Sequence, residues 1–449
     1  MTPLERFHLR RIRSGSGSGA VSSAPVHQGE FEKADGPGAL DDAVDTAVDD
    51  AAGPSSRLVA VLTLAAGALI ANLYYAQPLV AAIGPSVGIS RDLAGSIVSI
   101  TQVGYGIGLF FIVSLADCVE NKRLVLVTLG LTVLGLVGAA TATGLTTFFA
   151  ASLMVGVCST GAQVLLPFVA HLIPAARRGR TVGKVMAGVL TGIMLARPIA
   201  LFVSAALGWR AVFLISAAVL VAIGLSLLRM MPTYRPTSGT PYPRVLSSML
   251  SVMRTMPAVR WRAAYQSLMF CAFNMFWTAA PLFLADRFHL GERGIGVFAL
   301  AGCGGALVAP MAGRLADAGR SRVTTVAAML VLMLSFLASR WATEGSAALI
   351  GLTLLAVLID AAVQANQVVG QRVIYSVAAE RRGRVNAIYM TLLFVGAPIG
   401  SVLGTATYHR GGWPATAGTG VAIGVAMLIL VTLEQRPQRR SAASKVSEA

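Results

Sequence analysis

The chain has 449 residues, of which 55% are hydrophobic and only 12% are charged, with a formal net charge of +16. Soluble domains carry about 25% charged residues, so this composition excludes a soluble globular protein. The positive charge fits a membrane topology and contact with anionic lipid, and we do not expect a nucleic-acid partner.

Residues 1–56 differ from the rest of the chain. A basic start is followed by a Gly-Ser run and an acidic stretch at 41–50. The segment contains no apolar core of about 7–15 residues, which a cleavable signal peptide requires. We therefore expect a disordered cytoplasmic tail.

Most of the remaining sequence consists of apolar runs near or above the length of about 20 residues that crosses a bilayer. Backbone groups inside a bilayer have no water to bond, so such runs must be helical. We predict twelve spans, at 58–82, 93–115, 123–142, 147–172, 181–206, 210–231, 261–286, 294–316, 322–341, 346–372, 384–408 and 412–434. The fold class is an all-α integral membrane protein.

The distribution of Lys and Arg predicts the orientation. If both termini are cytoplasmic, the outside loops carry six basic residues, namely Arg91, Arg210, Arg287, Arg293, Arg340 and Arg410. The inside loops and the C-terminal tail carry several times as many, as the positive-inside rule requires. We expect a multi-pass monomer in the cell membrane.

Short motifs recur in the same order about 200 residues apart, which indicates an internal duplication. Arg-Arg-Gly-Arg occurs at Arg177–Arg180 and Arg381–Arg384, and each copy follows a Gln-Val pair. The predicted division is a six-helix bundle at 57–231, a cytoplasmic linker at 232–260, a second bundle at 261–434 and a cytoplasmic tail at 435–449. With six spans per half, the halves are related by an axis along the membrane normal. A short amphipathic helix near 244–256 and an unstructured linker are equally compatible with the linker sequence.

The tenth span carries a stripe of polar residues. Asp360 lies near the bilayer midplane, and Gln364, Gln367 and Gln371 follow at helical spacing on the same face. A charge facing lipid at that depth costs about 2.5–3.5 kcal/mol. The stripe must therefore face protein or a watery cavity; we favour a cavity, with a helix–helix hydrogen-bond network as the alternative.

Other spans carry polar or aromatic residues within two turns of a proline, which is typical of loosened helices at transporter sites. Ordinary packing explains any one of them, but as a set they predict one central site. The predicted substrate cavity comprises Asn72, Tyr75, Gln77, Gln163, Asn274, Trp277, Gln364 and Gln367. Arg197, in the fifth span, either extends to the headgroups or acts in the cavity, where it binds an anionic group or pairs with Asp360.

Two Leu-Ala-Asp triplets, each followed by basic residues, come after the second and eighth spans. The copy at 313–320 keeps most of the signature Gly-x-Leu-Ala-Asp-Arg-x-Gly-Arg-Lys, whereas the first copy is degenerate and has Cys118 in place of an arginine. With twelve spans in two similar halves, residues 57–434 resemble the major facilitator superfamily. The resemblance implies a cytoplasmic gate at these two motifs. The gate residues would be Asp117, Lys122, Asp317 and Arg320.

At finer grain, the stretches 72–79 and 384–387 are similar to a bacterial branch of predicted efflux permeases near the sugar- and drug-efflux groups. Two departures weaken the match to drug–proton antiporters. Ser152 stands where they carry an arginine, and Arg197-Pro198 stands where Gly-Pro is expected.

The sequence thus predicts a secondary transporter that works by alternating access, without a cofactor, a metal or the phosphate-binding loop of an ATPase. We expect protons to drive efflux of a small organic molecule, with Asp360 and Arg197 in the coupling. Uptake by symport is the alternative, and a transporter-like receptor is a weaker one. The five histidines are dispersed and the four cysteines form no metal pair, so we do not expect an enzyme.

Overall fold

The computed structural model describes residues 55–236, 240–342, 344–377 and 382–447. Almost all of the predicted N-terminal tail lies outside these residues, and so does Arg381 of the second Arg-Arg-Gly-Arg copy.

The first half of the described chain is helical. Its α-helices are α1 (Ser56–Ala71), α2 (Val80–Val87), α3 (Ser96–Leu115), α4 (Asn121–Thr141), α5 (Leu145–Ser159), α6 (Gly161–Leu172), α7 (Ala175–Leu207) and α8 (Trp209–Met230). Short 3₁₀ segments, Gln77–Leu79 and Arg91–Leu93, precede α2 and α3.

The second half has the same character. Its helices are α9 (Tyr242–Thr255), α10 (Pro257–Phe288), α11 (Glu292–Leu300), α12 (Ala309–Asp317), α13 (Ser321–Ser339), α14 (Gly345–Val377) and α15 (Arg382–Ser447). A 3₁₀ segment, Ala301–Val308, joins α11 to α12.

Ten helical stretches within the described residues are long and apolar enough to cross a membrane, and Ser56–Ala71 is a shorter apolar helix. The longest stretch, Gly383–Glu434, is interrupted at Gly411 and Gly412, whose backbone is not helical. If that stretch is counted as two crossings and α1 with α2 as one more, the helices correspond to the twelve predicted spans.

Large apolar side chains cover the outer surface of the helices. Leu307 is 81% exposed and Leu207 is 68% exposed, which would be unfavourable in water but suits contact with lipid tails. The prediction of an all-α integral membrane protein is confirmed.

Two of the predicted spans are interrupted, the first of them at its proline. The first span stops at Ala71 and resumes as a helix only after Pro78, which lacks the N–H that a continuous helix needs. The fourth span is divided at Thr160, between α5 and α6. Helix α6 continues through Pro167 without a break, and α10 of the seventh span likewise continues through Pro281.

Glycines allow equivalent helix pairs of the two halves to approach closely. A Cβ atom at Gly192 of α7 would overlap the carbonyl oxygen of Gly67 in α1, and one at Gly400 of α15 would overlap the carbonyl oxygen of Cys271 in α10. Each half therefore has at least one pair of helices in backbone contact at small residues, as is common in membranes.

The linker contains a helix. The apolar face of α9 buries Val245, Met249 and Val252, and the Tyr242 hydroxyl donates to the carbonyl oxygen of Phe111 at 3.0 Å. The linker therefore forms the amphipathic helix rather than an unstructured segment, and this helix packs against the end of α3. We call this end of the molecule the linker end and the opposite end, which carries the turn at Gly208, the far end.

The two halves are joined at the far end. The backbone N–H of Gly95 donates to Oγ1 of Thr405 at 3.1 Å, and Oγ of Ser99 donates to the carbonyl oxygen of Pro398 at 2.7 Å. These bonds connect α3 of the first half to α15 of the second.

Candidate substrate cavity

A cavity of about 350 Å³ lies between the two halves. Arg197 and Asp360 line its inner part, and Gln371 and Asn386 line it further towards the linker end. Its volume falls in the range of small-molecule sites, about 300–1,000 Å³.

A larger groove, about 770 Å³, lies between α3 and α15 and is lined by side chains such as Val103, Phe111 and Val395. Its wall is almost entirely apolar and contains none of the predicted site residues. Lipid chains satisfy such a surface without a specific ligand, so we place the site in the central cavity.

Asp360 is buried beside an indole and a glycine-rich segment. Its Oδ1 accepts a hydrogen bond from Nε1 of Trp277 at 2.7 Å, and only 6% of the residue is exposed. A Cβ atom at Gly302 would lie 2.7 Å from Oδ2 of Asp360. The 3₁₀ segment can therefore approach the carboxylate this closely only because it carries glycine.

Arg197 does not extend to the headgroups, since it is 3% exposed and lines the cavity. Its Nε donates to Oε1 of Gln77 at 2.9 Å. Three rings surround the guanidinium carbon, with centroids 5.0 Å away for Tyr74, 5.0 Å for Phe273 and 4.6 Å for Trp277. At these distances the ring faces attract the cation.

Within the part of the chain that the structure describes, Arg197 and Asp360 form no direct ion pair with each other. Trp277 contacts both, because its ring lies against Arg197 while its N–H is bonded to Asp360. The carboxylate and the guanidinium thus interact across an indole rather than through a direct hydrogen bond.

A hydrogen-bond network extends from Arg197 towards the far end. Nε2 of Gln77 donates to Oδ1 of Asn274 at 3.2 Å, and Nε2 of Gln102 donates to the same oxygen at 2.6 Å. Oε1 of Gln102 in turn accepts from Oγ of Ser401 at 3.2 Å. Gln77 and Asn274 therefore lie behind the cavity wall, where they connect the two halves.

The four polar residues of the α14 stripe, Asp360, Gln364, Gln367 and Gln371, all line the cavity. Gln163 lines it from the first half, where its Nε2 donates to the Tyr105 hydroxyl at 3.2 Å.

Helix α14 also makes a helix–helix hydrogen bond, but from a residue outside the stripe. Nδ2 of Asn366 donates to Oε1 of Gln266 at 2.7 Å. One face of α14 thus lines the cavity, while another face carries a hydrogen bond to a neighbouring helix.

Asn72 and Tyr75 are not brought into this group. Asn72 is 3% exposed, and its Oδ1 accepts from Oγ of Ser216 in α8 at 2.7 Å. Tyr75 packs against the hydrophobic core and is not part of the cavity wall. The backbone of Asn72 is still helical, but a turn separates it from the 3₁₀ segment at Gln77, so a continuous helix does not give the direction of Tyr75.

The predicted gate residues lie at the linker end. Burial raises the pKa of the Asp117 carboxyl, whereas Arg384 of the second half and His171 lower it. Asp117 thus has an electrostatic link across the two halves.

The other predicted gate residues make different contacts. Asp317 forms an ion pair with Arg372 of α14, within its own half. Lys122 is half-buried and Arg320 is exposed, and neither forms an ion pair with another described residue.

The sequence does not identify Tyr74 and Phe273, each next to a predicted site residue, because side-chain direction depends on the phase of each helix. It also misses the 3₁₀ segment against Asp360. The signal for that segment was present, since Gly302, Gly304 and Gly305 form a cluster that weakens an α-helix.

A bundle of membrane-crossing helices in two halves, with a partly charged cavity between them, defines a membrane transporter. The chain belongs to the Major Facilitator Superfamily, whose family model matches residues 61–365 and 269–448. It is therefore a secondary transporter and not an enzyme.

Individual proteins agree with this assignment. The chain is 34% identical over 380 residues to "Uncharacterized transporter YgaY" of Escherichia coli O157:H7. The matched region covers 84% of this chain and 94% of that protein. It is 26% identical over 279 residues to "Chloramphenicol resistance protein" of Streptomyces lividans, which covers 61% of this chain and 70% of that protein. The crystal structure of a D-xylose-proton symporter superimposes with a TM-score of 0.66 at 14% identity, over 82% of this chain and 96% of that chain. A likeness this distant shows the fold alone.

Proposed function

We propose that this transporter exports a small organic molecule in exchange for protons, by alternating access through the central cavity. The observation that carries the proposal is the buried carboxylate of Asp360 on the cavity wall. An ionised carboxylate in a dry interior is costly unless it is paired or takes up a proton. A change in access to the cavity would therefore change the protonation of Asp360.

The conformation supports alternating access. The halves are bonded to each other at the far end, and the cavity runs from Asp360 towards the linker end. Under the positive-inside rule the linker end is cytoplasmic, and on that orientation the cavity faces inward. Two six-helix bundles that rock about the site would open it to the other side.

Export is favoured over uptake by one relative, which is named for chloramphenicol resistance. Uptake by proton symport is the second candidate. The observation that favours it is the cationic Arg197 close to Asp360, because protonation of the carboxylate would leave a site that attracts anions. We further propose a monomer in the cell membrane, with both termini in the cytoplasm.

The test is transport by purified protein in liposomes under an imposed pH gradient, with a panel of sugars, nucleosides, amino acids, organic acids and antibiotics. Asp360→Asn should lower gradient-driven transport at least about 10-fold, since an amide cannot carry the proton. The matched control is Asp286→Asn, because the Asp286 carboxylate is bonded to the Tyr408 hydroxyl outside the cavity wall.

The control variant should transport within about twofold of the wild type. Unchanged gradient-driven transport by Asp360→Asn would remove Asp360 from the mechanism. The sign of the gradient that drives accumulation distinguishes export by exchange from uptake by symport.

A further inference from the structure

We propose that Arg197 binds the negative group of the substrate, so that the transported molecule is a small organic anion, most simply a carboxylate. This inference names the substrate class and rests on the proposed function for the statement that the bound molecule is transported. It favours proton symport, the second candidate, because protonation of Asp360 and binding of an anion would assist each other. It begins from the hydrogen-bond donors of Arg197 that the described residues leave unused.

A guanidinium has five N–H donors in a rigid fork. In the described residues one of them is used, at Nε, by Gln77, and Nη2 is buried without a hydrogen-bond partner. A buried polar group left in this state costs about 1–3 kcal/mol, and more when it is charged. Bonding of the substrate to the free edge of the fork would remove this cost.

The surroundings hold the fork in place. Gln77 fixes one edge of the guanidinium, and the rings of Tyr74, Phe273 and Trp277 lie around its centre. Aromatic faces stabilise the charge without using its N–H donors. A fixed, planar fork suits the two oxygens of a carboxylate, which it can bind with two parallel hydrogen bonds.

The rest of the cavity suits an uncharged remainder of the molecule. Apart from Arg197, the charged residue on its described wall is Asp360, and that carboxylate already accepts from Trp277. Amides such as Gln163, Gln364 and Gln367 alternate with apolar side chains. A cation would compete with the Trp277 N–H for Asp360 and would be repelled by Arg197. An anion, in contrast, is attracted to the guanidinium of Arg197 and can bond to its unused N–H donors.

The test compares acids with their neutral amides on purified full-length protein at constant ionic strength. The probes are benzoate and benzamide, hexanoate and hexanamide, and lactate and lactamide, with binding followed by thermal shift. We expect at least one acid to half-saturate the protein at a concentration about 10-fold or more below that of its amide. If no acid binds better than its amide, the proposal is wrong. This comparison does not depend on any variant being able to fold.

Variants then assign the preference to Arg197. Arg197→Gln should abolish it, and Arg197→Lys should keep only part of it because an ammonium lacks the fork. The matched control is Arg210→Gln, since Arg210 also lies over a tryptophan ring, that of Trp209, but outside the cavity wall. A preference that survives Arg197→Gln would place the anion elsewhere and overturn the proposal.

Asp360→Asn tests the electrostatics. The charged and titratable groups that act on Asp360 are Arg197, Tyr74 and Cys303, and of these Arg197 carries the positive charge. Removal of the negative charge beside Arg197 should tighten acid binding by about 3-fold or more. Weaker acid binding in this variant would contradict the proposal.

Transport separates this inference from the proposed function. Acids that bind through Arg197 but are not moved by a pH gradient would contradict proton-driven transport and leave the anion site standing. If neutral compounds are transported under the gradient and Arg197→Gln does not change this, proton-driven transport stands and the anion site is contradicted.

Discussion

At the residue scale, Trp277 is the side chain that touches both buried charges. Its ring lies 4.6 Å from the guanidinium carbon of Arg197, and its Nε1 donates to Asp360 at 2.7 Å. The indole can therefore transmit a change in the charge of one group to the other. An indole N–H bonded to a carboxylate contributes about 1.5–3 kcal/mol, more than a bond between neutral groups.

Trp277→Phe keeps a ring beside Arg197 and removes the donor to Asp360. We expect gradient-driven transport to fall by about 10-fold or more, because the carboxylate loses the bond that positions it. The control is Trp413→Phe, which removes the indole bond from Nε1 to the carbonyl oxygen of Ser339 at 3.0 Å, away from the cavity. Liposome transport should separate the two variants, and equal loss in both would indicate a general effect on folding.

Spacing in the sequence predicts which residues share one face of a helix. The stripe of Asp360, Gln364 and Gln367 lies on the cavity wall because α14 is one continuous helix. The sequence does not decide whether the Arg197 side chain extends to the headgroups or into the cavity, since that depends on which face of α7 turns inward. Asn72 and Tyr75 lie off the described cavity wall, where α1 ends before Pro78.

At the element scale, each half contains helix pairs whose backbones meet at glycines. Gly192 brings α7 against α1, and Gly400 brings α15 against α10. The fifth span carries glycines at 183, 188 and 192. Gly188 and Gly192 make close contact with α1, whereas Gly183 has no neighbour within 4 Å of a Cβ position. Spacing identifies the candidates, but the partner helix decides which of them are used.

Gly400→Ala should destabilise the second half, because the added methyl group would overlap the backbone of α10. Overpacking of this kind costs about 1–3 kcal/mol, so we expect a lower melting temperature in detergent. Gly418→Ala is the control, as nothing lies within 4 Å of a Cβ atom at that position of α15. Equal melting temperatures for the two variants would mean that α10 and α15 are not in backbone contact.

At the scale of the whole molecule, the far end is closed and the cavity extends towards the linker end. The closure consists of polar bonds between α3 and α15, such as Gly95 to Thr405, together with the Gln77, Asn274 and Gln102 network. Such bonds can be exchanged for bonds to water at a small net cost. A far end held in this way can open during a transport cycle.

The sequence predicts the number of spans, because hydrophobic length is a property of each segment by itself. It does not predict which end of the molecule is closed. That property is a balance of weak contacts between the halves, and the same sequence must allow both states if access alternates.

The most direct test of the account is the access of water to the cavity from each side of the membrane. A single cysteine at position 367, in a variant without the four native cysteines, is exposed to a membrane-impermeant maleimide from one side at a time. We predict labelling from the linker end at rest, and labelling from the far end when a pH gradient and a transported compound are present. A cysteine that reacts from neither side, or from one side under every condition, would contradict alternating access through this cavity.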